Sequence, residues 1–152
     1  MANIYYQITM QLVCAVKYRE ALIMDRFKND LHKYIAGILL NHKHKPLAIN
    51  SMPDHIHILF GMHPCDIPSL IRDIKSDSST FINHHKLSRH RFQWQKGYGL
   101  FSYSISHRPN VIRYIENQEE HHKKRSFRKE YNNFLKQFQV DFNPDYIFDF
   151  FD

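Results

Sequence analysis

The sequence predicts an α+β fold in which four antiparallel strands form one sheet and two helices cover one of its faces. Three observations support this prediction. Stretches rich in β-branched and aromatic residues alternate with longer amphipathic stretches, in the order strand, helix, strand, strand, helix, strand. A Pro-Asp turn signal joins the two middle strands into a hairpin. The chain has 152 residues, which suits one domain with a sizeable core.

The first half of the chain supplies a strand, a helix and a hairpin. Residues 4–18 are rich in aromatic and β-branched side chains and predict a long first strand. Apolar residues recur at helical spacing over residues 20–41 and predict an amphipathic helix. Residues 45–52 and 55–62 then predict the two strands of the hairpin, with Pro53 and Asp54 at the turn.

The second half supplies a helix, the fourth strand and two further helices. A helix begins at Asp66 or Pro68 and keeps its apolar residues on one side, and alternation over residues 100–106 predicts the fourth strand. This order is that of the ferredoxin-like split βαβ fold. Two further helices are predicted over residues 109–124 and 126–138, and we expect the first of them near the sheet face that the other helices leave open.

The charge of the chain favours a polyanionic partner. Lys and Arg number 21 against 15 Asp and Glu, for a net charge of +6, and four of the aspartates follow Val140 where Lys and Arg are absent. Nucleic acid is the simplest partner for so basic a body, although a solvated basic surface would have the same composition. No apolar run approaches the roughly 18 residues that span a membrane, and the N-terminus lacks signal-peptide features, so a cytoplasmic protein is expected.

Two histidines interrupt the second strand of the hairpin. Side chains alternate along a strand, so His55 and His57 share one face, while the apolar residues between and after them face the helix-covered core. The strand rise separates the two Cα atoms by roughly 7 Å, so both imidazoles can converge on one cation. Two surface histidines would show the same pattern, so something else must complete a site.

The predicted helix 109–124 carries the residues that could complete it. Tyr114 and Gln118 lie one helical turn apart, and His121 and His122 extend their face. A divalent cation held by two imidazoles and an amide oxygen keeps positions open for a phosphate oxygen, and a tyrosine hydroxyl can attack phosphorus as a covalent nucleophile. A packing tyrosine beside a solvated glutamine is the alternative.

Three stretches together resemble the single-tyrosine HUH transposases, the small insertion-sequence transposases and their repetitive-palindrome-associated relatives. They are "MPDHIHILF", "WQKGYGLFSYSIS" and "YIENQEEHHKKRSF", and "AVKYREALI" is similar to the start of the family. HUH denotes His, hydrophobic, His, here His55-Ile56-His57. The resemblance extends from about residue 4 to the tail. It implies one catalytic domain over residues 1–140, followed by an acidic tail over 141–152.

The resemblance implies a DNA strand-transferase and endonuclease. Such enzymes cut and rejoin single-stranded DNA at hairpin-bearing element ends through a 5′-phosphotyrosine, leaving a free 3′-hydroxyl. Carried over, Tyr114 is the nucleophile and His55, His57 and Gln118 hold Mg²⁺ or Mn²⁺. His121 or His122 would be an auxiliary ligand, a proton relay or a phosphate contact.

The resemblance also implies partners. Family members recognise imperfect DNA hairpins and usually act as homodimers, in which the tyrosine helix can complete the partner's histidine site. Trp94 and Tyr98 could stack on an unpaired base or pack in the core. Eight basic residues are expected to contact phosphates: Lys43, Lys45, Arg72, Lys75, Lys86, Arg89, Arg91 and Lys96.

Three other functions remain open at this stage. An RRM-type module would bind single-stranded nucleic acid without chemistry, but its sheet would need exposed aromatic residues. A metal-dependent hydrolase or structural metal site would use the histidines without the tyrosine. A domesticated relative would bind or cut palindromes without moving an element.

Overall fold

The computed structural model describes residues 2–17 and 21–143 and contains the predicted four-stranded sheet. The sheet is antiparallel with the order β2-β3-β1-β4, which is the ferredoxin-like arrangement, so the predicted fold class is confirmed. The elements are β1 (Thr9–Ala15), α1 (Asp25–Asn41), β2 (Lys45–Met52), β3 (His55–Gly61), α2 (Ile67–His84), β4 (Gly99–Tyr103), a 3₁₀ turn (Ile105–His107), α3 (Arg108–Glu116), α4 (Gln118–His122) and α5 (Phe127–Gln137).

The sheet separates two hydrophobic cores. The larger core lies between one sheet face and the helices α1 and α2, and it contains Ile56, Ile58 and Phe60 of β3. The smaller core lies on the opposite face, where α5 packs against β1 and β4. Because the apolar set of β3 enters the larger core, His55 and His57 point into the smaller one, as the alternation predicts. The smaller core consists of Val13, Ala15, Phe101, Phe127, Tyr131, Phe134 and Leu135.

The first strand and the first helix are shorter than predicted. Strand β1 begins at Thr9 because both neighbouring strands end there, with Thr9 paired to Gly61 of β3 and to Tyr103 of β4. The apolar and aromatic residues before Thr9 therefore lie outside the ladder, and Tyr5 is exposed. Helix α1 begins at Asp25, and positions 18–20, where the two predictions meet, lie outside the described residues.

The predicted helix 109–124 is two helices. Asn117 has φ −99° and ψ 25°, which interrupts the helical backbone between α3 and α4. Strand β4 also ends earlier than predicted, at Tyr103, and Ile105 is exposed in the 3₁₀ turn. Helix α5 agrees closely with the predicted helix 126–138, and the Ser126 side chain caps it by accepting a hydrogen bond from the Lys129 amide at 3.3 Å.

The face that carries the two histidines is covered mainly by the last helix. Helix α3 lies near this face as predicted, since the Asn50 side chain of β2 donates a hydrogen bond to the Ile115 carbonyl at 2.9 Å. Helix α5 also lies over the face, and both histidine side chains are 0% exposed. The Phe127 ring stacks on His55 with 3.8 Å between the ring centroids, and the Phe134 ring meets His57 edge-on at 6.0 Å. The histidine pair therefore lies inside the protein. No helix among the described residues is long and apolar enough to cross a membrane, and most of the acidic tail, residues 144–152, lies outside them.

Candidate active site

His55 is fixed by the residue that precedes it. Its Nδ1 atom lies 2.7 Å from Oδ1 of Asp54 in the hairpin turn. A carboxylate only accepts hydrogen bonds, so Nδ1 carries a proton and donates it. The other nitrogen, Nε2, is buried and has no hydrogen-bond partner among the described residues. An imidazole held in this way by a carboxylate presents Nε2 as a metal ligand.

His57 has a different partner on each ring nitrogen. Its Nδ1 atom accepts a hydrogen bond from the amide nitrogen of Gln11 on β1, at 2.8 Å. Its Nε2 atom lies 3.0 Å from Oε1 of Glu130 on α5. The two histidine rings approach each other edge to face, with 5.2 Å between their centroids.

Three histidines surround one oxygen of Glu130. The side chain of Glu130 is 1% exposed. Its Oε1 atom lies 3.0 Å from Nε2 of His57, 3.3 Å from Nε2 of His122 and 3.5 Å from Nε2 of His55. Of the two auxiliary candidates on α4, His122 therefore lies inside the site. Imidazoles from β3 and α4 therefore surround one oxygen of this carboxylate.

The other oxygen of Glu130 meets the predicted tyrosine and glutamine. The Tyr114 hydroxyl donates a hydrogen bond to Oε2, and the Gln118 amide nitrogen donates to the same atom at 3.2 Å. The Gln118 amide oxygen lies 3.1 Å from Nε2 of His122. The remaining auxiliary candidate, His121, stacks on the Tyr114 ring at 4.3 Å between centroids.

Arg125 contacts the tyrosine hydroxyl from the solvent side. Its guanidinium donates a hydrogen bond to the Tyr114 oxygen at 3.2 Å. Both residues line an open pocket of about 270 Å³ that also reaches Glu130 and Asn110. Tyr114 therefore lines a pocket beside a positive charge.

Burial and charge set the protonation of this cluster in the absence of a cation. Burial alone would raise the pKa of Glu130, but the nearby His57 and the contacts with His122 and His55 outweigh it and hold this pKa below its usual range. Burial alone would lower the pKa of His55, but Asp54 and Glu130 outweigh it and raise this pKa. For His57 burial dominates over the opposing effect of Glu130, and its pKa is lowered.

Tyr114 is held as a neutral phenol. Burial raises its pKa above the ordinary value, and the adjacent Glu130 carboxylate raises it further, both by its charge and by accepting the phenol hydrogen bond. Arg125 opposes this rise in pKa. Any chemistry that uses the phenolate needs more positive charge near this oxygen than Arg125 alone supplies.

The donors at this site fit a divalent cation. One nitrogen each of His55 and His122 and one oxygen of Glu130 lie within 4.8 Å of one another. The buried Nε2 of His55 faces the Glu130 oxygen at 3.5 Å and has no hydrogen-bond partner among the described residues. Imidazole nitrogens combined with carboxylate and amide oxygens suit Mn²⁺, and oxygen ligands suit Mg²⁺.

The structure thus brings together five of the predicted site residues and adds three that the prediction missed. His55, His57, Tyr114, Gln118 and His122 contact the Glu130 carboxylate. The missed residues are Glu130, Arg125 and Gln11. Glu130 carries a detectable signal, because it interrupts the apolar stripe of α5 formed by Phe127, Tyr131 and Phe134. An ionisable residue within a buried helical stripe needs a polar partner.

The predicted phosphate contacts lie on several parts of the surface. Three of them, Arg72, Lys75 and Lys96, line a cleft of about 520 Å³ together with Trp94 and Tyr98. Lys43 and Lys45 line a separate depression beside His63. Lys86, Arg89 and Arg91 are exposed in the connection between α2 and β4.

Two residues of the cleft have specific contacts. The Lys75 ammonium donates hydrogen bonds to the backbone carbonyls of Gln95 and Gly97, at 2.9 and 2.5 Å, and lies 5.7 Å from the centroid of the Tyr98 ring. Trp94 packs against the larger core and donates its indole N–H to Ser78 at 2.9 Å. Tyr98 is exposed. Of the two aromatic candidates, Trp94 is a packing residue and Tyr98 is the one available for stacking.

The sequence model of the family described as "Transposase IS200 like" matches residues 4–118. The chain belongs to the IS200-like transposases. This transposase is 25% identical over 119 residues to the ISDra2 transposase TnpA of Deinococcus radiodurans, with 74% of this chain and 85% of the relative covered. The matched region ends at Gln118, and Arg125 and Glu130 follow it in the chain.

Two solved structures share the fold of this IS200-like transposase. A crystal structure described as a transposase from D. radiodurans R1 has a TM-score of 0.60 and 26% identity, covering 78% of this chain and 95% of that one. The REP-associated tyrosine transposase bound to a REP hairpin has a TM-score of 0.59 and 15% identity, covering 100% of this chain and 93% of that one. The second likeness shows the fold alone.

Proposed function

We propose that this transposase cleaves and rejoins single-stranded DNA at hairpin-bearing ends, with Tyr114 as the nucleophile. One observation carries the proposal: the Tyr114 hydroxyl and the Nε2 atoms of His55 and His57 meet at the same buried carboxylate within one chain. A tyrosine can act as a covalent nucleophile, and a cation held by the histidine pair beside it would polarise the phosphate that it attacks.

The proposed reaction exchanges one phosphodiester for another. The Tyr114 oxygen forms a bond to the phosphorus and loses its proton, while the bond from phosphorus to the 3′-oxygen breaks and that oxygen leaves as a hydroxyl. A 3′-hydroxyl from another strand later displaces the tyrosine by the reverse step, so no ATP is needed. Arg125, 3.2 Å from the tyrosine oxygen, would stabilise negative charge on that oxygen or on the phosphate.

His55, His57 and Gln118 would hold Mg²⁺ or Mn²⁺, as the family resemblance implies, and Glu130 would add an anionic ligand. A bound cation would polarise the scissile phosphate. Gln118 directs its amide nitrogen to Glu130 and its amide oxygen to His122, so rotation of this amide would be needed to present the oxygen to the cation. The orphaned Nε2 of His55 supports this assignment.

Hairpin DNA and a second copy of the chain are the proposed partners. The basic cleft with Arg72, Lys96 and the exposed Tyr98 supports single-stranded DNA binding by charge and stacking. A fold neighbour is bound to a REP hairpin. We propose a homodimer because the family resemblance implies one. The meeting of Tyr114 with both histidines in one chain supports a site built within each subunit.

The alternative of a non-catalytic RRM-type module is disfavoured. Such a module stacks bases on an open sheet face. Helix α5 covers this face. Of the two aromatic residues of β4 that point to it, Phe101 is buried in the smaller core, and Tyr103 packs against that core and donates a hydrogen bond to Gln11.

A covalent-adduct assay tests the proposed function. Wild type, Tyr114→Phe and the control Tyr5→Phe, at an exposed tyrosine outside the cleft and the active site, would be mixed with labelled hairpin oligonucleotides from the DNA flanking the gene, in Mn²⁺ or EDTA, and resolved on a denaturing gel. We expect a Mn²⁺-dependent adduct from wild type and Tyr5→Phe and none from Tyr114→Phe. An adduct that persists in Tyr114→Phe would overturn the assignment of the nucleophile, and binding with no adduct would overturn the proposed chemistry.

A further inference from the structure

A line of hydrogen bonds crosses the histidine face from its edge strand to the active site. The Tyr103 hydroxyl on β4 donates to the amide oxygen of Gln11 at 2.7 Å. The amide nitrogen of Gln11 donates to Nδ1 of His57 at 2.8 Å, and Nε2 of His57 faces Glu130 at 3.0 Å. Gln11 and His57 are both 0% exposed. Their partners are therefore side chains of the protein.

The direction of these bonds fixes the proton of His57. An amide nitrogen only donates, so Nδ1 of His57 accepts and carries no proton. The proton of the neutral ring then lies on Nε2, which donates a hydrogen bond to Glu130. A ring nitrogen that carries a proton has no lone pair for a cation, so in this arrangement the Nε2 of His57 cannot be a ligand.

His55 shows the opposite arrangement. Its Nδ1 partner, Asp54, is a carboxylate and can only accept, so the proton on Nδ1 is fixed. Nε2 is therefore the only ring nitrogen of His55 that can bind a cation. A cation that binds there displaces any proton on Nε2. The two histidines therefore differ in what holds their Nδ1 atoms. Asp54 can only accept a hydrogen bond from His55, whereas the amide of Gln11 can either donate to His57 or accept from it.

We propose that Gln11, held by Tyr103, is a positioning residue that sets the tautomer of His57 and so controls whether this histidine binds the divalent cation. The inference rests on the proposed function, because it concerns the proposed cation ligands. In the arrangement of the structure Gln11 donates a hydrogen bond to His57, and His57 contacts Glu130. When the amide of Gln11 rotates by about 180°, its oxygen accepts a hydrogen bond from Nδ1 of His57. The ring proton then lies on Nδ1, and Nε2 is free to bind the cation.

Tyr103 is suited to both states. A hydroxyl can donate or accept, so it donates to the Gln11 oxygen in one state and accepts from the Gln11 nitrogen in the other. Both amide groups thus keep a partner after the rotation, and no buried polar atom is orphaned. The rotation also releases His57 from Glu130, which frees the carboxylate oxygen that the histidines surround. Cation binding and release of Glu130 are therefore one coupled change.

The test compares the full-length protein with two substitutions of Gln11. Nitrogen-15 NMR of the histidine rings identifies the protonated nitrogen of His57, and Mn²⁺ titration followed by electron paramagnetic resonance measures affinity. We expect the proton on Nε2 in the cation-free wild type. Gln11→Glu, which can only accept, should move this proton to Nδ1 without a cation and keep or increase Mn²⁺ affinity. Gln11→Leu should weaken Mn²⁺ binding about 10-fold or more.

The matched controls are Gln7→Glu and Gln7→Leu, because Gln7 is exposed and its amide oxygen contacts Thr9 and Arg108. These controls should leave both measurements at the wild-type values. A proton on Nδ1 in the cation-free wild type, or unchanged Mn²⁺ affinity in a folded Gln11→Leu, would overturn the inference. If Gln11→Leu does not fold, Gln11→Glu still tests the inference, because a His57 proton that stays on Nε2 in that variant would overturn it. Failure of the proposed function is distinct, since it would abolish the DNA adduct and leave the tautomer and Mn²⁺ results standing.

Discussion

The Tyr114 hydroxyl donates a hydrogen bond to Glu130, a residue 16 positions later that lies on a different helix. The same carboxylate contacts the histidine pair through its other oxygen. The proposed nucleophile and the proposed cation ligands are therefore joined by a single side chain, and a change in that side chain should affect both.

Replacement of Glu130 by Gln should weaken cation binding. The substitution keeps the shape of the side chain but removes the negative charge that three histidines surround, so we expect Mn²⁺ affinity to fall about 10-fold or more. Mn²⁺ titration by electron paramagnetic resonance measures this directly. Glu120→Gln, which removes an exposed carboxylate paired with Lys123, is the matched control. Equal affinities of the two variants would exclude Glu130 as a ligand.

Replacement of Arg125 by Gln should slow adduct formation more than it weakens DNA binding. Arg125 contacts the Tyr114 oxygen, so its charge matters most when that oxygen becomes negative, and we expect a rate loss of about 100-fold. Single-turnover adduct formation and native-gel binding separate the two effects. Arg125→Lys should recover part of the rate, and the exposed Lys124→Gln should leave it unchanged. An equal loss in binding and rate would mean that Arg125 only holds DNA.

A mixture of Tyr114→Phe and His55→Ala chains should form no adduct. The structure brings Tyr114 to the histidines of its own chain, so each subunit of a mixed dimer would lack one required group. The adduct assay on the co-refolded mixture checks this, with wild type mixed with each variant as the positive control. Recovered activity would show instead that α3 exchanges between subunits.

Removal of charge from the basic cleft should weaken DNA binding without affecting the chemistry. Arg72→Gln and Lys96→Gln should each reduce the slope of log affinity against log salt by about 0.7 for single-stranded DNA. Fluorescence anisotropy at several salt concentrations measures the slope. Lys33→Gln, on the outer side of α1, supplies a control outside this cleft. A slope that stays at the wild-type value would place the DNA elsewhere.

His32 should make the protein less stable in mild acid. Burial, with a smaller effect of Lys28, lowers the pKa of His32 from 6.5 to about 4. Between these values the unfolded chain binds a proton that the folded chain does not, so the free energy of unfolding falls as the pH falls from 6.5 to 4. Because the ring is partly solvated, we expect a loss on the order of 1 to 2 kcal/mol.

The measurement compares urea unfolding of wild type and His32→Gln at pH 7 and pH 4.5. The stability difference between the two pH values should be smaller in His32→Gln by the amount that His32 contributes. Glutamine retains a donor for Ser51, whose hydroxyl lies 2.7 Å from Nε2 of His32. The same pH dependence in both proteins would show that His32 titrates normally in the folded state.

The fold was predictable because its pattern is local. Strand alternation and helical periodicity are properties of neighbouring residues, and they placed Ile56, Ile58 and Phe60 opposite His55 and His57. The break at Asn117 was not predictable in this way, because no glycine or proline marks it. The start of β1 at Thr9 was also missed, since the ends of its two neighbouring strands decide it.

The sequence by itself determined the order of strands and helices along the chain and the shared face of His55 and His57. It also placed Tyr114 and Gln118 close together, although the structure divides them between α3 and α4. Tertiary structure alone decided that α5 covers those histidines and brings Glu130 between them and the tyrosine. It also decided that Gln11 reaches His57 from a neighbouring strand, 46 positions away in the sequence. The physical reason is that periodicity specifies which face of an element is buried, whereas the partner across that face depends on how separate elements pack.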